Sequence, residues 1–397
     1  MKNILYICHQ DPTSIQTAGR QRATLLCRAL SEVAHLDIVC LRPDKMEQFL
    51  PNATFKCLEY QESNEKKNTG ILSRVLRYLR LFFSTDIIAP QNEYYAREIG
   101  SILKSKQYDY IIVFYLYNAL KCGIPLNKRL IVDVDDLPEQ QFMTKMKAIN
   151  SGKSISSGIK FMFHYLFFLR IRHYTRKIAR SVNAIILSNE NQCSGIANSV
   201  FIPGIPYPFR AQPQSTAPAG QFDILFVGAL YSEHNYRGLN RFFENIWPTV
   251  IKEVPQACLN IVGVTDDTAK KWEDNWRQQT GVNVKGFCED IAKEYAENSI
   301  IIAPIFQGAG INVKVLEALH FGKAQVISNH ACRGFEDFLK DGKNIFIAGD
   351  DADFASKLIL LLKDRDLQIR MAGNTRNILN SKYSWDYVRN TAQNLVK

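Results

Sequence analysis

Short, uninterrupted apolar runs alternate with helical stretches along this chain, and the alternation occurs twice. The first series opens with a strand-like run from Asn3 to Cys8, a helical pattern from Ala18 to Ser31 and a second run at Leu36 to Leu41. Further runs follow at Tyr110–Phe114, Leu130–Val134 and Asn183–Leu187. The stretch from Tyr207 to Gly220, rich in Pro, Ala, Gly and Ser, then reads as a linker. Beyond it the pattern restarts, with strands at Asp223–Val227, Ala257–Val262, Val282–Val284, Ile300–Ala303 and Ala324–Ser328. Helical patterns at Asn235–Lys252, Asp267–Gln279, Glu289–Ala296 and Val313–Phe321 lie between and after them. Strands apolar throughout, rather than at every second residue, belong to parallel sheets covered by helices on both faces. The fold class is therefore α/β, with two Rossmann-like domains in tandem and ligand sites expected at the carboxyl ends of the strands. The boundaries read as 1–205 for the first domain, 206–221 for the linker and 222–380 for the second. Segments 45–108 and 135–180 read as mostly helical.

Composition removes several classes. At 46% hydrophobic and 22% charged, the chain can bury a core and is not a disordered polyelectrolyte. Its longest apolar stretch, Phe161 to Leu169, contains His164 and is far shorter than the ~18–20 residues of a membrane span. At the start, Ile4 to Cys8 gives way at once to His9-Gln10-Asp11-Pro12, too short an apolar region for a secretory signal. The nine cysteines are scattered and include no C-x-x-C pair, which fits reduced thiols in a cytoplasmic chain rather than a disulfide framework or zinc site.

The net charge of +10 is regional. Residues 1–200 carry 27 basic and 17 acidic side chains, whereas residues 201–397 carry 22 of each. Between Glu139 and Glu190 there are nine Lys and Arg, no acid, and the aromatics Phe161, Phe163, Tyr165, Phe167, Phe168 and Tyr174. A basic helix with an aromatic face suits an anionic membrane surface, so segment 140–189 is a candidate docking element; a solvated helix packed on its own domain is the alternative. No nucleic-acid-binding motif accompanies the charge, and nucleic acid is not expected as a partner.

The stretch from Ile300 to Leu319 carries the most chemistry. A buried strand leads through Gln307 into Gly308-x-Gly310, whose glycines let backbone N–H groups approach an anion, and a helix begins there with its positive end exposed. Lys314 falls in the first helical turn, where a cation is unfavourable for the helix unless a phosphate lies between them. Glu317, three residues on, shares that face and suits two vicinal hydroxyls such as those of a ribose. A solvated Lys314–Glu317 ion pair is the competing reading. A dinucleotide dehydrogenase would carry a third glycine and an acid at the end of the next strand; here that strand ends Ile327-Ser328-Asn329.

Ile302-Ala303-Pro304, Gly308-Ala309-Gly310, Lys314-Val315-Leu316-Glu317-Ala318 and Gly322-Lys323 together resemble the donor-site signature of glycosyltransferase family 4, retaining nucleotide-sugar transferases of GT-B fold. Phe226-Val227-Gly228 with Asn235, Trp247-Pro248 and Ile261-Val262-Gly263 is similar to the opening of that family's C-terminal domain. Val284-Lys285-Gly286-Phe287 resembles its base-contacting loop, and Gly19-Arg20-Gln21-Arg22 falls in its first N-terminal loop. The resemblance implies a GT-B architecture with two domains facing across a cleft, and a last helix, 381–397 after Tyr383-Ser384-Trp385, crossing back to the N-terminal domain. It implies that the amides of Ala309, Gly310 and Ile311 hold a diphosphate, that Lys314 neutralises the leaving group and that Glu317 binds ribose. The backbone of Gly286, Phe287 and Cys288 would hold the base. No cofactor is implied, the donor being a nucleotide-diphosphate sugar, and no metal. The family's E-x7-E pattern would put its first acid at position 309, where this chain has Ala309. Gln307 is the nearby substitute, and Arg237 stands in for a basic pair of the family.

In the first half, Asp133-Val134-Asp135-Asp136 ends an apolar strand. Asp133 and Asp135 form a D-x-D pattern that can clamp a divalent cation. Alternatively Asp135 or Asp136 orients or deprotonates an acceptor hydroxyl, or caps a following helix. His9, Gly19 and Arg20 lie on the same acceptor side. The expected function is transfer of a sugar to a glycan or polyprenyl-linked glycan acceptor, as in surface polysaccharide synthesis, in the cytoplasm and peripherally on the inner face of the membrane. The alternatives are a catalytically degenerate nucleotide-sugar-binding protein and an epimerase of the same fold.

Overall fold

The structure is a computed structural model. It describes residues 1–9, 11–13, 18–42, 50–58, 84–140, 143, 155–206, 220–308, 311–374 and 382–397. The chain divides into two units, one of Met1–Ile15, Gly19–Pro203 and Val388–Lys397, the other of Gln16–Ala18 and Gly204–Tyr387.

The first unit contains β1 (Lys2–Cys8), α1 (Ala18–Ser31), β2 (Ala34–Cys40), β3 (Ala53–Cys57), α2 (Glu93–Ser105), β4 (Tyr110–Phe114), α3 (Leu116–Lys121), β5 (Leu130–Asp135), α4 (Ile155–Ser181), β6 (Ala184–Leu187) and β7 (Ser199–Phe201). Its strands form one parallel sheet in the order β3-β2-β1-β4-β5-β6-β7. Ile4 to Cys8 and Leu130 to Val134, Asp133 included, are buried on both faces, as strands of a parallel sheet covered on both sides require. Chain order reverses between β1 and β4, so a crevice opens at their carboxyl ends, where His9 and Tyr115 follow the strands.

The second unit contains β8 (Gly220–Val227), α5 (Glu233–Asn245), α6 (Trp247–Glu253), β9 (Cys258–Val262), α7 (Asp267–Arg277), β10 (Val282–Gly286), α8 (Ile291–Glu297), β11 (Asn298–Ala303), α9 (Val313–His320), β12 (Ala324–Ser328), β13 (Phe346–Ala348), α10 (Asp351–Lys363) and α11 (Arg365–Gly373). Its parallel sheet runs β10-β9-β8-β11-β12-β13, with the same reversal between β8 and β11. The core packs Phe226, Phe242, Trp247, Trp276, Phe335 and Phe354 against the strands. A final helix, α12 (Trp385–Asn394), carries the chain back into the first unit. There Gln393 Nε2 donates to the Ala29 carbonyl at 3.0 Å and to Glu32 at 2.9 Å.

Several sequence expectations change. The helix read over 235–252 is two helices, because Pro248 lacks an N–H and begins a new helix rather than continuing the old one. The helical reading of 45–108 fails at β3, which pairs in register with β2 from Leu36↔Ala53 to Cys40↔Cys57. β7 and β13, three residues each, carry too little pattern to be read in sequence. β8 begins at Gly220, so residues 220–221 are strand rather than linker, while 207–219 lie outside the described residues. No disulfide joins any of the nine cysteines.

Candidate functional site

In the second unit the candidate site lies at the β8/β11 reversal. Gly228 follows β8, and a Cβ built on it would come 2.8 Å from both Asn235 Nδ2 and Lys314 Nζ. Only glycine leaves room there for the lysine to cross. The Lys314 ammonium donates to Asn235 Oδ1 at 2.7 Å and lies 4.2 Å from the centre of the Phe226 ring. Asn235 is held in turn by donating to the Ala229 carbonyl at 2.8 Å. Burial pulls the Lys314 pKa down to about 7, opposed by the nearby Glu317 carboxylate. Glu317 accepts a 3.0 Å hydrogen bond from the Tyr295 hydroxyl, and burial pushes its pKa up to about 7 against the pull of Tyr295 and Lys314. The two side chains share a helix face yet each bonds elsewhere, so the solvated ion pair is not what forms.

The turn between β11 and α9 is tied down by the segment after β12. Ser328 Oγ donates to the Ile305 carbonyl. Arg333 Nη1 donates to the Gly308 carbonyl at 3.1 Å, and His330 Nε2 lies 3.1 Å from the same oxygen. Gly308 has φ +121° and packs on His234, whose Cβ would be 3.3 Å from any added methyl. Burial, Lys314 and His330 together pull the His234 pKa down to about 4, so its imidazole is neutral near pH 7. Gln307 and Ile311 are half-buried on either side of the glycine segment. Ala309 and Gly310, expected to supply amides, lie outside the described residues. At the start of α9, Asn312 makes no side-chain cap and instead donates to the Ala331 carbonyl at 3.3 Å, and the first turn holds no acid. N–H groups at such a terminus are suited to an anion.

Strand β10 ends at Gly286 with φ +77°, where the Gly286 carbonyl accepts from Gly263 N–H at 2.8 Å. The turn leaves Phe287 54% exposed and brings Cys288 into the cluster of Tyr295 and Ala318, next to the support of Glu317. The Gly286–Cys288 turn and the Lys314–Glu317 face are thus joined through Tyr295. Arg237 falls elsewhere. It is two residues past Asn235, turned about 200° around α5 at 3.6 residues per turn, and its guanidinium pairs with exposed Glu233 at 2.9 Å. It is a surface pair rather than a member of the Lys314 cluster.

In the first unit the carboxyl edge of the sheet carries a second constellation. Arg22 from α1 forms a fork onto Asp133, with Nη2 2.7 Å and Nε 3.0 Å from Oδ1, and Nη1 donates to the Ile202 carbonyl at 2.8 Å. Both side chains are buried, and the Asp133 carboxyl, raised by burial, is drawn back by the guanidinium. Asp133 is thereby committed to the fold, which removes it from the D-x-D cation clamp. Asp135, 27% exposed and 3.7 Å from Arg22 Nε, sits at φ +62°. Tyr115, at the end of neighbouring β4, has φ +68° and donates its N–H to the Asp133 carbonyl at 2.7 Å. A non-glycine residue in the left-handed region costs about 1–3 kcal/mol and persists only where surroundings enforce it, commonly at functional sites. Asp136 accepts from Gln192 Nε2, and Gln192 Oε1 of the same side chain accepts from Leu137 N–H at 3.0 Å, which ties this carboxylate to the following turn.

His9 completes this edge. Its ring lies 5.3 Å from Tyr115 and 5.4 Å from Tyr117, with the Tyr117 hydroxyl 2.9 Å from Nε2. Burial, Arg42 and Lys121 pull its pKa down to about 4, leaving it neutral near pH 7. Gly19 and Arg20 are half-buried in the first turn of α1, where the Arg20 carbonyl accepts from Thr24 Oγ1 at 2.9 Å. Sequence reading passed over Tyr115 and Tyr117, although two tyrosines directly after a parallel strand are a usable signal. It also passed over His234, Tyr295, His330 and Arg333.

Residues 221–364 match the family model described as Glycosyl transferases group 1. An uncharacterized 44.6 kDa protein in the cps region of Klebsiella pneumoniae is 23% identical over 297 residues, covering 72% of this chain and 73% of that protein. Among solved structures, sucrose-phosphate synthase from Thermosynechococcus elongatus superposes with a TM-score of 0.69 at 14% identity, covering 100% of this chain and 98% of the other. Anabaena HepE in complex with UDP and glucose superposes with a TM-score of 0.63 at 12% identity, covering 98% of each. The fold is that of the GT-B glycosyltransferases. Within that fold, the second unit holds the span that matches the group 1 glycosyltransferase model, and Lys314 and Glu317 lie inside it.

Proposed function

We propose that the protein is a retaining glycosyltransferase of the family 4 type, moving a sugar from a nucleotide-diphosphate sugar to a glycan or lipid-linked glycan acceptor. The observation that carries this reading is Lys314, an ammonium seated over Gly228 at the uncapped start of α9. It stabilises the diphosphate as the anomeric C–O bond breaks, together with the amides of the Gly308–Ile311 segment and without metal. The partly desolvated ammonium regains full charge as the anion arrives. Glu317, steadied by Tyr295, accepts from the ribose hydroxyls, and the Gly286–Cys288 turn meets the base. The acceptor oxygen bonds the anomeric carbon on the face the diphosphate leaves, its proton passing to the departing diphosphate oxygen, and Asp135 in the first unit binds a hydroxyl of the acceptor. HepE, on the same fold, is a structure with UDP and glucose, which supports a nucleotide sugar as donor. The relative in a cps region supports a surface polysaccharide as product.

The acceptor is carried by the inner face of the plasma membrane, which the enzyme meets from the cytoplasm through α4. Met162, Phe163, Tyr165, Leu166 and Leu169 are exposed on that helix, Phe163 by 56%, and Arg172, Lys177 and Arg180 follow toward its end. Apolar insertion combined with basic residues suits an anionic interface. Among the described residues no helix is long and apolar enough to cross a membrane.

A second reading, a nucleotide-sugar-binding protein without turnover, is favoured by one observation, Ala309 in place of the first acid of E-x7-E. Thermal shift against nucleoside diphosphates and their sugars, with and without EDTA, followed by acceptor-dependent release of nucleoside diphosphate, separates the two. A shift that survives EDTA, with release, supports the transferase; a shift without release supports the binding protein; no shift defeats both.

A further inference from the structure

We propose that Tyr117, backed by Tyr115 and His9, is a stacking platform for the ring of an acceptor pyranose, and that Asp135 takes a hydroxyl of the same sugar. The platform stands at the reversal of the first sheet, where β1 and β4 lie side by side and a crevice must open. Tyr115 and Tyr117 are stacked, ring centres 5.4 Å apart and planes 16° from parallel, and Phe114 lies beneath Tyr115 at 4.1 Å. Tyr117, in the first turn of α3, is 37% exposed although Phe114 and Leu116 beside it are buried. Large flat faces left open beside a carboxylate suit a sugar, whose C–H faces are apolar and whose rim is hydroxylated. The neutral His9 ring holds the Tyr117 hydroxyl rather than repelling or attracting charge.

The backbone gives a second, independent indication. Tyr115 and Asp135 are two of the three non-glycine residues with positive φ among the described residues, and they end adjacent strands. A fold indifferent to these side chains would place glycine at both positions. Ser188 fixes Asp135 in place, donating both N–H and Oγ to the Asp135 carbonyl at 2.9 Å. The side chain is thus aimed by a clamped backbone, and the buried Arg22–Asp133 fork supports it from below.

The inference rests on the transferase reading, and its test is separable from that reading. Saturation-transfer NMR is run on the full chain, without donor, against the methyl α- and β-pyranosides of glucose, galactose, mannose, N-acetylglucosamine and rhamnose at millimolar concentration. At least one pyranoside is expected to receive saturation in its ring protons. Tyr117→Ala abolishes that transfer, Tyr117→Phe retains it, and Asp135→Asn, which tolerates the left-handed backbone, weakens binding about tenfold, the scale of one charged hydrogen bond. Should Tyr117→Ala fail to fold, Asp135→Asn carries the decision. Absence of transfer from all pyranosides, or transfer unchanged in these variants, overturns the platform. A thermal shift by nucleoside diphosphate in the same preparation reads the donor site independently, so a nucleotide response without pyranoside binding defeats the platform alone.

Discussion

The ammonium of Lys314 meets Asn235 Oδ1 at 2.7 Å in a space that exists only because residue 228 has no side chain. Helices α5 and α9 and the end of β8 are locked to one another at that point. Lys314→Ala is expected to remove the nucleoside-diphosphate thermal shift and to lower transfer by about 10²–10³, the scale of losing one preorganised donor to a developing charge. Its melting temperature stays close to wild type, because the ammonium it deletes is partly desolvated.

Gly228→Ala acts on the same contact from the other side. A methyl 2.8 Å from two nitrogens displaces both side chains, which are flexible enough to move. The expected cost in stability is about 1–3 kcal/mol by denaturant melt, with nucleotide affinity falling at least tenfold. Affinity equal to wild type would show that the crossing of Lys314 is irrelevant to the donor.

The pH dependence of stability has a definite sign. Glu317 titrates at about 7 in the folded chain, so the folded state holds a proton that the unfolded state has lost above the usual carboxylate range. Stability therefore falls as pH rises toward 7. Lys314 also titrates at about 7, and here the unfolded chain keeps the proton up to the usual lysine range, so stability recovers as pH rises beyond 7. A shallow minimum of melting temperature near neutrality is expected without nucleotide, and Lys314→Met combined with Glu317→Gln should flatten it. A monotonic profile in the wild-type chain would refute the assignment.

Arg22 and Asp133 are buried together, and breaking one side leaves the other uncompensated. Asp133→Ala is expected to destabilise by about 3–5 kcal/mol in a chemical melt. The double replacement Arg22→Met with Asp133→Leu should recover much of that loss, since a desolvated pair is commonly replaceable by apolar volume. Equal losses in the single and double variants would contradict it.

Helix α4 carries the membrane prediction. Phe163→Ser with Leu166→Ser should reduce cosedimentation with vesicles containing anionic lipid and leave turnover on a soluble acceptor intact. Binding to such vesicles should also weaken with salt, because Arg172, Lys177 and Arg180 act through screened charge.

The strands were legible because parallel sheets buried on both faces are written as unbroken apolar runs, and Tyr110–Phe114 and Ala324–Ser328 were read to the residue. That Lys314 and Glu317 share one helix face was legible for a local reason, since helix periodicity alone puts residues three apart together. What joins Arg22 to Asp133 spans 111 residues and depends on strand order, which no local pattern encodes. Tyr115, Tyr117 and His9 meet for the same reason: β4 comes to lie beside β1 only after the sheet has formed. β3 escaped because it is an edge strand with exposed polar positions, Thr54 and Lys56.

The crowding around residue 228 also bears on how a chain of this kind can diversify. Gly228, Asn235 and Lys314 come from three segments and share one small space, so a change at any one of them is felt at the other two. The exposed Phe287 and the half-buried Gln307 turn stand outside that shared space, so substitutions there leave the Lys314 crossing intact.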